Sequence, residues 1–453
     1  MAGVTASNQN IVNARIMAEM AMEFNIGADI LGKGNRHIEK HLGAEKMSGD
    51  TVMVPITGGG EVYDHLDLSN EDLSVQRDAV PVTVGPLCTA AAVDQETLTL
   101  SIKNPEILAK RVANLAMHAN DMAYKCLVNN SLNTSVISNL DIVGAANQPS
   151  GAGYKGRSKL YDLKAIVEGS KMGGETYGVV HPLTWAKLIA MFQGNYAPND
   201  KIGNDLYRNE LGELLGIKWT KGQYLEVVTG VTQGITVNSI DYATMFPTAT
   251  NTYGKKNDYG VQANAPFAVG SYFTPTIDVT VTAELGEGEI SQPFTIAGVY
   301  STDVFGKSTG RLATFRIQNV GTDAAPVYKL VGSVFFEGPR QNVTSADYDT
   351  ATHKLEPTTK ATTDLLTAGT SYLPPAVVWK RDDFLVAVKG LEKFYGCDSL
   401  TVPTQYREKG ILPLRGLCWT DPVKASTIFR VDVLLGMTAF LRTSMAAAYI
   451  EAN

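Results

Sequence analysis

Histidine residues are the first place to look for chemistry, since metal sites and general bases draw on them. The chain has six, and His37 and His41 lie four residues apart. That spacing places both on one face of a helix, as in many paired zinc ligands. The segment is HIEKH rather than HExxH, with no third ligand nearby. Solvated helix residues explain the pair better than a metal site, and we predict no metal ligand.

A glycine-containing turn, GKGNR, invites comparison with phosphate-binding loops. Gly32 and Gly34 satisfy neither GxxxxGK[ST] nor GxGxxG, and no predicted strand precedes them. A helix that ends with a glycine exit accounts for the turn better. We therefore predict no cofactor.

Nucleophilic catalysis would require a serine, a histidine and a carboxylate in one place. His181 with Ser170 or Asp162 offers the residue types, but GSKMG is not the GxSxG elbow of hydrolases. The sequence therefore predicts no catalytic residue and no enzyme activity.

The four cysteines are scattered without a CxxC pair: Cys88, Cys126, Cys397 and Cys418. This spacing supports neither a zinc knuckle nor a disulfide framework. Buried free thiols are the expected state.

Length and charge bound the class of protein. A chain of 453 residues exceeds one hydrophobic core, so two or three domains are expected. The net charge of −7 argues against a protein whose main role is gripping nucleic acid or an anionic membrane, although weak nonspecific contact with DNA is compatible with it. The first residues lack the pattern of a signal peptide, and the apolar stretch 433–441 is too short to cross a bilayer. We expect a soluble protein made in a cytoplasm.

Residues 104–132 predict a single long amphipathic helix, which we call the spine helix. Asn104 suits a cap, Pro105 the first helical position and Glu106 the positive end of the dipole. Apolar residues recur at steps of three and four and define one face: Ile107, Leu108, Val112, Leu115, Ala116, Ala119, Met122, Ala123, Cys126 and Leu127. Residues 8–31 predict a second helix.

Residues 49–92 predict a long two-stranded excursion. TVMVPI and VPVTVGPL are extended runs on either side of a glycine turn and a polar stretch. Between Asp50 and Asp78 there are seven acidic residues against one fixed cation, Arg77. Two strands alone bury little, so this arm should need a neighbour to lie on. A basic surface on a partner and a solvated acidic loop are equally good interpretations of the charge.

The rest of the chain alternates between mixed and all-β composition. Residues 133–157 predict a Gly/Asn/Ser-rich connection, followed by a helix (LYDLKAIVEGSKM), a strand (ETYGVVHP) and a short helix (PLTWAKLIAMFQG). Residues 240–343 contain period-two runs without a helical pattern and predict an inserted β-barrel or sandwich. Further strands follow, and we expect a central β-layer closed by the last of them.

The order of these segments resembles the major capsid (coat) proteins of tailed double-stranded DNA phages, in particular short-tailed-phage coat proteins with an inserted β-barrel. The resemblance lies in DTVMVPI through LDLSN, SIKNPEILAKRVANLA, ISQPFTIAGVYSTDV, AVVWKRDDFLVAVKG and SLTVPTQYREKGILPLRGLCW followed by STIFRVDVLLGM.

This resemblance implies an α+β tailed-phage capsid fold with six parts. They are an N-terminal helical arm (1–48), an extended loop (49–92), a peripheral domain with the spine helix (93–132), an axial domain (133–239), an inserted β-domain (240–343) and a return to terminal strands (344–453). It also implies pentamers and hexamers of an icosahedral virion shell, with scaffolding and portal proteins, packaged DNA and a decoration protein as partners.

Two further points come from comparison with that family. Some relatives link subunits through a loop lysine, but here no lysine lies between Lys46 and Lys103, so the resemblance implies non-covalent assembly. The alternatives are the shell subunit of a cellular nanocompartment and a surface-binding protein. The latter would use an aromatic face of the β-block: Tyr253, Tyr259, Tyr272 and Phe273.

Overall fold

The computed structural model describes most of the chain in separate stretches. These are residues 29–35, 51–57, 77–94, 104–138, 152–192, 213–222, 227–242, 275–338, 340–389, 398–401, 414–421 and 426–452. The fold within them is mixed α+β with strands predominating. It divides into two units, one of residues 1–52, 81–124 and 385–438 and the other of residues 53–80, 125–384 and 439–453.

The helices of the described stretches are α1 (Asp29–Gly32), α2 (Asn104–Asn130), α3 (Ala152–Gly169) and α4 (Pro182–Phe192). A 3-10 turn covers Arg381–Asp383. None of these helices is long and apolar enough to span a membrane.

The strands before residue 242 are β1 (Thr51–Thr57), β2 (Arg77–Thr83), β3 (Gly85–Asp94), β4 (Asn133–Ile137), β5 (Thr176–Val180), β6 (Glu213–Leu214), β7 (Ile217–Lys221), β8 (Val228–Thr229) and β9 (Ile235–Asp241). The next are β10 (Thr276–Val281), β11 (Phe294–Thr302), β12 (Ser308–Phe315), β13 (Ile317–Asn319), β14 (Tyr328–Leu330), β15 (Val343–Ser345), β16 (Tyr348–Asp349), β17 (Lys354–Leu355) and β18 (Thr362–Asp364). The last are β19 (Ser371–Lys380), β20 (Phe384–Lys389), β21 (Asp398–Thr401), β22 (Arg415–Asp421), β23 (Ser426–Ala439) and β24 (Ala446–Glu451).

Helix α2 confirms the predicted spine helix. It has 27 residues and is therefore about 40 Å long. The buried face of α2 differs from the predicted apolar face, because it includes Asn120, Tyr124 and Val128. Met122 was predicted to lie on the apolar face, but it is 39% exposed, so that prediction is wrong. The polar Asn120 is tolerated inside because its Oδ1 accepts a hydrogen bond from the N–H of Ile30 at 3.2 Å.

A seven-stranded mixed sheet forms the centre of the second unit, in the order β4-β24-β19-β5-β7-β6 with β8 on β19. Helices α3 and α4 pack on one face, and their apolar residues, including Trp185 of α4, form a core with Trp219, Val378 and Ile450 of the sheet. The run AAAYI of β24 is buried throughout, as expected for a strand covered on both faces. The final strand lies between β4 and β19 rather than at an edge. The last strand thus belongs to the central β-layer, as predicted, and it lies in the interior of that layer.

The region from β9 to β18 is all-β and has its own core. It contains the sheets β10-β9-β17-β16 and β12-β11-β15 with β18 on β11, and the pair β13-β14. The core is mainly aliphatic and includes two groups of aromatic contacts, Phe294 against Phe315 and Tyr242 against Phe335 and Phe336. The described strands agree with the all-β character predicted for residues 240–343, but the predicted bounds are too narrow, since β9 begins at Ile235 and β17 and β18, up to Asp364, pair with β9 and β11. The status of this block as an inserted domain stays a prediction.

The first unit contains a five-stranded sheet in the order β20-β23-β22-β21, with β3 on β23. Strand β23 pairs with β3 from Ser426 to Leu435 and with β22 from Ser426 to Asp432, both antiparallel. Gly436 lies close to the main chain of Thr83, where a Cβ would come within 2.6 Å of its carbonyl oxygen. Strands β1 and β2 form a separate two-stranded sheet, as predicted for the excursion, but its predicted end at residue 92 is wrong, because the chain from Gly85 belongs to β3 and pairs with β23.

Two sequence predictions are wrong in detail. The connection expected at 133–157 includes strand β4, which pairs in parallel with β24, and helix α3 begins at Ala152. The sequence NTSVI has little apolar character, yet it forms strand β4, whose first and last residues, Asn133 and Ile137, are buried. The GKGNR turn is confirmed as a helix end over its described residues, because the N–H groups of Lys33 and Gly34 bond to the last turn of α1.

Candidate functional site

Ser170, Asp162 and His181 do not form a catalytic group. The Ser170 hydroxyl donates to the carbonyl of Val167 at 2.6 Å, and Asp162 pairs with Arg311 at 3.2 Å. Nδ1 of His181 accepts the N–H of Leu183 at 3.3 Å, and burial lowers the pKa of His181. Each residue is therefore engaged elsewhere.

Metal and thiol chemistry also lack a site among the described residues. No group of three or more His, Cys, Asp or Glu residues there is placed to hold a metal ion. Cys88 is exposed, so its predicted burial is wrong, and Cys126 is half-buried. Burial raises the pKa of Cys126 to about 12, which keeps it a protonated and unreactive thiol.

Several candidates fall outside the described residues: His37, His41, Lys46, Lys103, Cys397, Tyr253, Tyr259, Tyr272 and Phe273. The same holds for the part of the predicted N-terminal helix that precedes Asp29 and for the side chain of Cys418.

The polar residues that do converge lie at a buried junction at the end of α2, which we call the helix-end junction: Asn130, Gly332, Ser333, Asp383 and Arg442. Arg442 is 1% exposed and has a positive φ of 68°. Its Nε donates to the carbonyl of Asn130 at 2.9 Å and its Nη1 to the carbonyl of Ser333 at 2.8 Å. A cation at a helix C-terminus also complements the helix dipole.

Asp383 anchors the turn that carries Arg442. Its Oδ1 accepts the N–H groups of Leu441 at 2.7 Å and Arg442 at 2.8 Å. Its Oδ2 accepts the N–H and the hydroxyl of Ser444, both at 2.8 Å. Both carboxylate oxygens are therefore saturated by the protein itself.

The electrostatics of this junction are those of a structural site. Burial raises the pKa of Asp383, while its four hydrogen bonds favour the charged form and oppose that rise. Burial lowers the pKa of Arg442 to about 10, and Asp383 counteracts this. Arg442 thus stays charged at neutral pH. Since both oxygens of Asp383 accept hydrogen bonds from the chain itself, the junction holds the turn before β24 in place.

The β-block and the central sheet are joined by a second set of buried polar contacts. Nη2 of Arg316 donates to the Tyr449 hydroxyl at 2.6 Å, and its Nη1 donates to the carbonyl of Ser291 at 3.2 Å. The hydroxyl of Ser301 donates to Oδ1 of Asn133 at 3.0 Å. These bonds connect β11 and the segment after β12 with β24 and β4.

The exposed apolar side chains are the remaining candidate for a functional surface, and they occur in adjacent sets. Tyr300 and Leu312 face each other across β11 and β12, and Phe305 lies in the turn between these strands with 64% of its surface exposed. Val320 and Val327 are neighbours through the bond from Val320 N–H to the Val327 carbonyl, and both are exposed. Contiguous apolar patches on a surface mark interaction sites more often than scattered residues do.

Sequence reasoning missed both features. Asp383 and Arg442 lie 59 positions apart and Asn130 lies 312 positions from Arg442, so no local motif connects them. The only local signal for Asp383 was the pair of acids in KRDDF, directly after an apolar run. The alternation of β11 and β12 predicted strands but did not indicate which face lies outside.

Comparisons with known proteins come from structure rather than sequence. No family model matches the chain, and no curated protein matches it in sequence. The solved structures similar to it include capsids of phages and a virus-like particle.

One similar structure is from Mycobacterium phage Che8, at 9% identity and a TM-score of 0.41, with 92% of this chain and 89% of that chain covered. The capsid of the cyanophage P-SCSP1u has 10% identity and a TM-score of 0.38 over 89% of this chain and 84% of that one. The virus-like particle from Pyrococcus furiosus has 9% identity and a TM-score of 0.35 over 95% and 97%.

Proposed function

We propose that this protein is the major capsid protein of a tailed double-stranded DNA phage. It assembles as pentamers and hexamers, on a scaffolding protein, into an icosahedral shell that encloses the genome. The portal protein and a decoration protein are its other partners, and it has no enzymatic role. Assembly takes place in the host cytoplasm, and the shell becomes part of the virion.

The adjacent exposed apolar side chains carry this proposal. Tyr300, Phe305 and Leu312 form one set on the outside of the β-block, and Val320 and Val327 form another. A chain that works alone gains nothing from leaving these sets in water, whereas a shell subunit buries such surface against its neighbours.

The excursion between β1 and β2 supports the same proposal. The two strands pair only with each other among the described elements, and residues 58–76 between them carry five of the acidic residues. Two strands bury too little to be stable alone, so an arm of this kind gains stability on a partner. One such contact repeated around a closed symmetry produces a large assembly from modest interfaces.

The net charge of −7 suits a container for DNA. A strongly cationic inner wall would bind packaged DNA tightly, because neutralising phosphates releases counterions, and would oppose release of the genome. The contact with DNA proposed here is weak and nonspecific.

Negative-stain electron microscopy of the purified protein tests this function, with and without a candidate scaffolding protein. Closed shells or sheets of hexamers are the expected result. Monomers and small oligomers under both conditions would contradict a shell subunit.

A variant with residues 58–76 replaced by a Gly/Ser segment of equal length sharpens the test, since both β1 and β2 remain intact. We expect this variant to be a soluble folded monomer that forms no shells. Its urea unfolding midpoint, compared with that of the wild type, is the control for folding. A variant that unfolds would instead show the segment to be part of the subunit core.

A further inference from the structure

Two buried arginines lie against one short segment of the chain. The N–H of Val331 donates to the carbonyl of Arg316 at 2.9 Å. At the next residue, Gly332, an added Cβ would lie 3.0 Å from Cζ of Arg442. Arg316 is 7% exposed and Arg442 is 1% exposed. The two cations therefore share one part of the interior, where the β-block meets the turn before β24.

Neither guanidinium forms an ion pair with a carboxylate of the described stretches. Nη1 of Arg316 donates to the carbonyl of Ser291 at 3.2 Å, and its Nη2 donates to the Tyr449 hydroxyl at 2.6 Å. The guanidinium of Arg442 donates to main-chain carbonyl groups at the end of α2 and after β14. All of these acceptors are neutral, so they satisfy hydrogen bonds without balancing the charges. A buried charge that no opposite charge compensates is costly.

The charges around Arg442 do not cancel. The pKa of Arg442 falls to about 10, chiefly because of burial, while Asp383 opposes this fall and the positive charge of Arg316 adds to it. Cys126 and Tyr242 also act on Arg442, but burial raises the pKa of each, so both are neutral at pH 7. Two guanidinium cations and one carboxylate leave one positive charge in excess. A single monovalent anion would balance it.

Two hydrogen-bond donors beside these charges have no protein partner within the described part of the chain. They are Nε of Arg316 and the hydroxyl of Tyr242, a residue that is 1% exposed. The Tyr242 hydroxyl lies near enough to Arg442 for that charge to oppose the rise of the tyrosine pKa. Buried donors in native proteins nearly always have a partner. Since both groups donate and the region carries excess positive charge, their chemistry is that of an anion site.

We propose that one halide ion binds beside Arg316 and Arg442 and accepts hydrogen bonds from Nε of Arg316 and from the hydroxyl of Tyr242. The ion balances the excess charge of the two arginines. Protein interiors are packed as densely as organic crystals, which favours a single-atom anion over phosphate or sulfate. A buried water molecule is the alternative occupant, because it would satisfy the two donors without balancing the charge. The site belongs to the single subunit and does not depend on the proposed shell function.

Thermal unfolding of the full chain, kept as unassembled subunits, tests binding with sodium chloride as the probe. Chloride replaces gluconate at a constant ionic strength of about 0.2 M, so that the screening of surface charges does not change. An ion that binds only the folded state stabilises it, and we expect the midpoint to rise by about 2–4 °C. A wild-type midpoint that does not respond to chloride would overturn the proposal in favour of water.

Tyr242→Phe removes one of the two donors and keeps the ring for its contacts with Phe335 and Phe336. The rise caused by chloride should fall by at least about half, because the ion loses a hydrogen bond. Tyr300→Phe is the matched control, since it removes a hydroxyl from a residue that is 37% exposed, and it should keep the full rise. Equal rises in the two variants would overturn the proposal.

Arg316→Met removes the cation and its Nε donor while keeping an unbranched side chain in the interior. The midpoint of this variant should not respond to chloride, whatever its value in gluconate, because one guanidinium and one carboxylate then balance each other. A response as large as that of the wild type would contradict an ion held by Arg316.

Crystals of the full chain grown with sodium bromide locate the ion directly, through the anomalous scattering of bromine. We expect a peak in contact with Nε of Arg316 and the hydroxyl of Tyr242. Bromide peaks confined to the protein surface would overturn the proposal, even if chloride raised the midpoint.

Discussion

Asp383 accepts two hydrogen bonds from Ser444 on one oxygen, from its main-chain N–H and from its hydroxyl, each at 2.8 Å. The other oxygen accepts the N–H groups of Leu441 and Arg442. The turn between β23 and β24 is thus folded around a side chain that follows β19. Both oxygens of this carboxylate accept hydrogen bonds from the turn, so the side chain holds the main chain of the turn in place. Removing the carboxylate should therefore lower the free energy of unfolding.

Asp383→Asn is predicted to lower the free energy of unfolding by about 2–4 kcal/mol, because an amide NH2 then faces main-chain donors and Arg442 loses its compensating charge. Urea unfolding monitored by tryptophan fluorescence measures this. Asp278→Asn, an exposed change of the same kind, should cost less than about 0.5 kcal/mol. Equal effects from the two substitutions would show that Asp383 does not anchor the turn.

Gly332→Ala tests the close packing of the helix-end junction. A Cβ there would lie 2.3 Å from Oδ1 of Asn130 and 3.0 Å from Cζ of Arg442, and the φ of +76° is already unfavourable for alanine. Asn130 has little freedom to move away, because its Nδ2 donates to the carbonyl of Cys126 at 2.8 Å. The strain and the overlap together should cost about 2–5 kcal/mol.

Gly338→Ala separates the two contributions. Gly338 has a similar φ of +81°, but no atom lies within 4 Å of the position that an added Cβ would take, so only the backbone strain of about 1–2 kcal/mol is expected. The difference between the two urea midpoints therefore measures the packing overlap. Matching midpoints would mean that the junction relaxes freely around an added methyl group.

Tyr449→Phe tests the bond between the central sheet and the β-block. It removes the hydroxyl that accepts a hydrogen bond from Nη2 of Arg316 at 2.6 Å, and it leaves this buried guanidinium donor without its acceptor. The expected cost is about 1–3 kcal/mol. Tyr300→Phe, at a residue 37% exposed, is the control and should leave the thermal midpoint within about 1 °C of the wild type.

Elements with strong periodicity were predictable from sequence, and contacts between distant segments were not. The spine helix, the pairing segments of the excursion and the β-block follow from residue spacing, because local pattern decides local structure. The orientation of the buried face of α2 could not be predicted from the sequence. Asn120 is buried because its side chain accepts a hydrogen bond from the N–H of Ile30, 90 residues away in the chain. Strand β4 was missed because NTSVI has little apolar character, and its pairing with β24 supplies the order that its own sequence does not.

The helix-end junction shows the same limit for the candidate site. Arg442 in isolation looks like a surface arginine after an apolar strand, yet it is buried because Asn130 and Ser333 offer it carbonyl groups. Charged residues are rarely buried without such partners, so sequence reasoning places them outside by default. Only the fold brings the donors and acceptors together.

Asp303 gives the sharpest pH-dependent prediction. Burial by itself would raise its pKa, but the bonds from the Lys171 ammonium at 2.7 Å and from the N–H groups of Lys307 and Phe305, both at 2.9 Å, outweigh burial and lower the pKa below its usual value of 3.8. A carboxyl with a lowered folded-state pKa stabilises the protein above the unfolded-state pKa, and this contribution is lost as the pH falls through the folded-state value.

Asp303→Asn should lower the free energy of unfolding by about 1–2 kcal/mol at pH 7. The difference from the wild type should shrink once the pH drops below about 4, since the wild type then loses the same interaction. Urea unfolding of both proteins at several pH values measures this, with Asp278→Asn as the exposed control. A difference that stays constant from pH 7 to pH 3 would show that the Asp303 charge contributes nothing to stability.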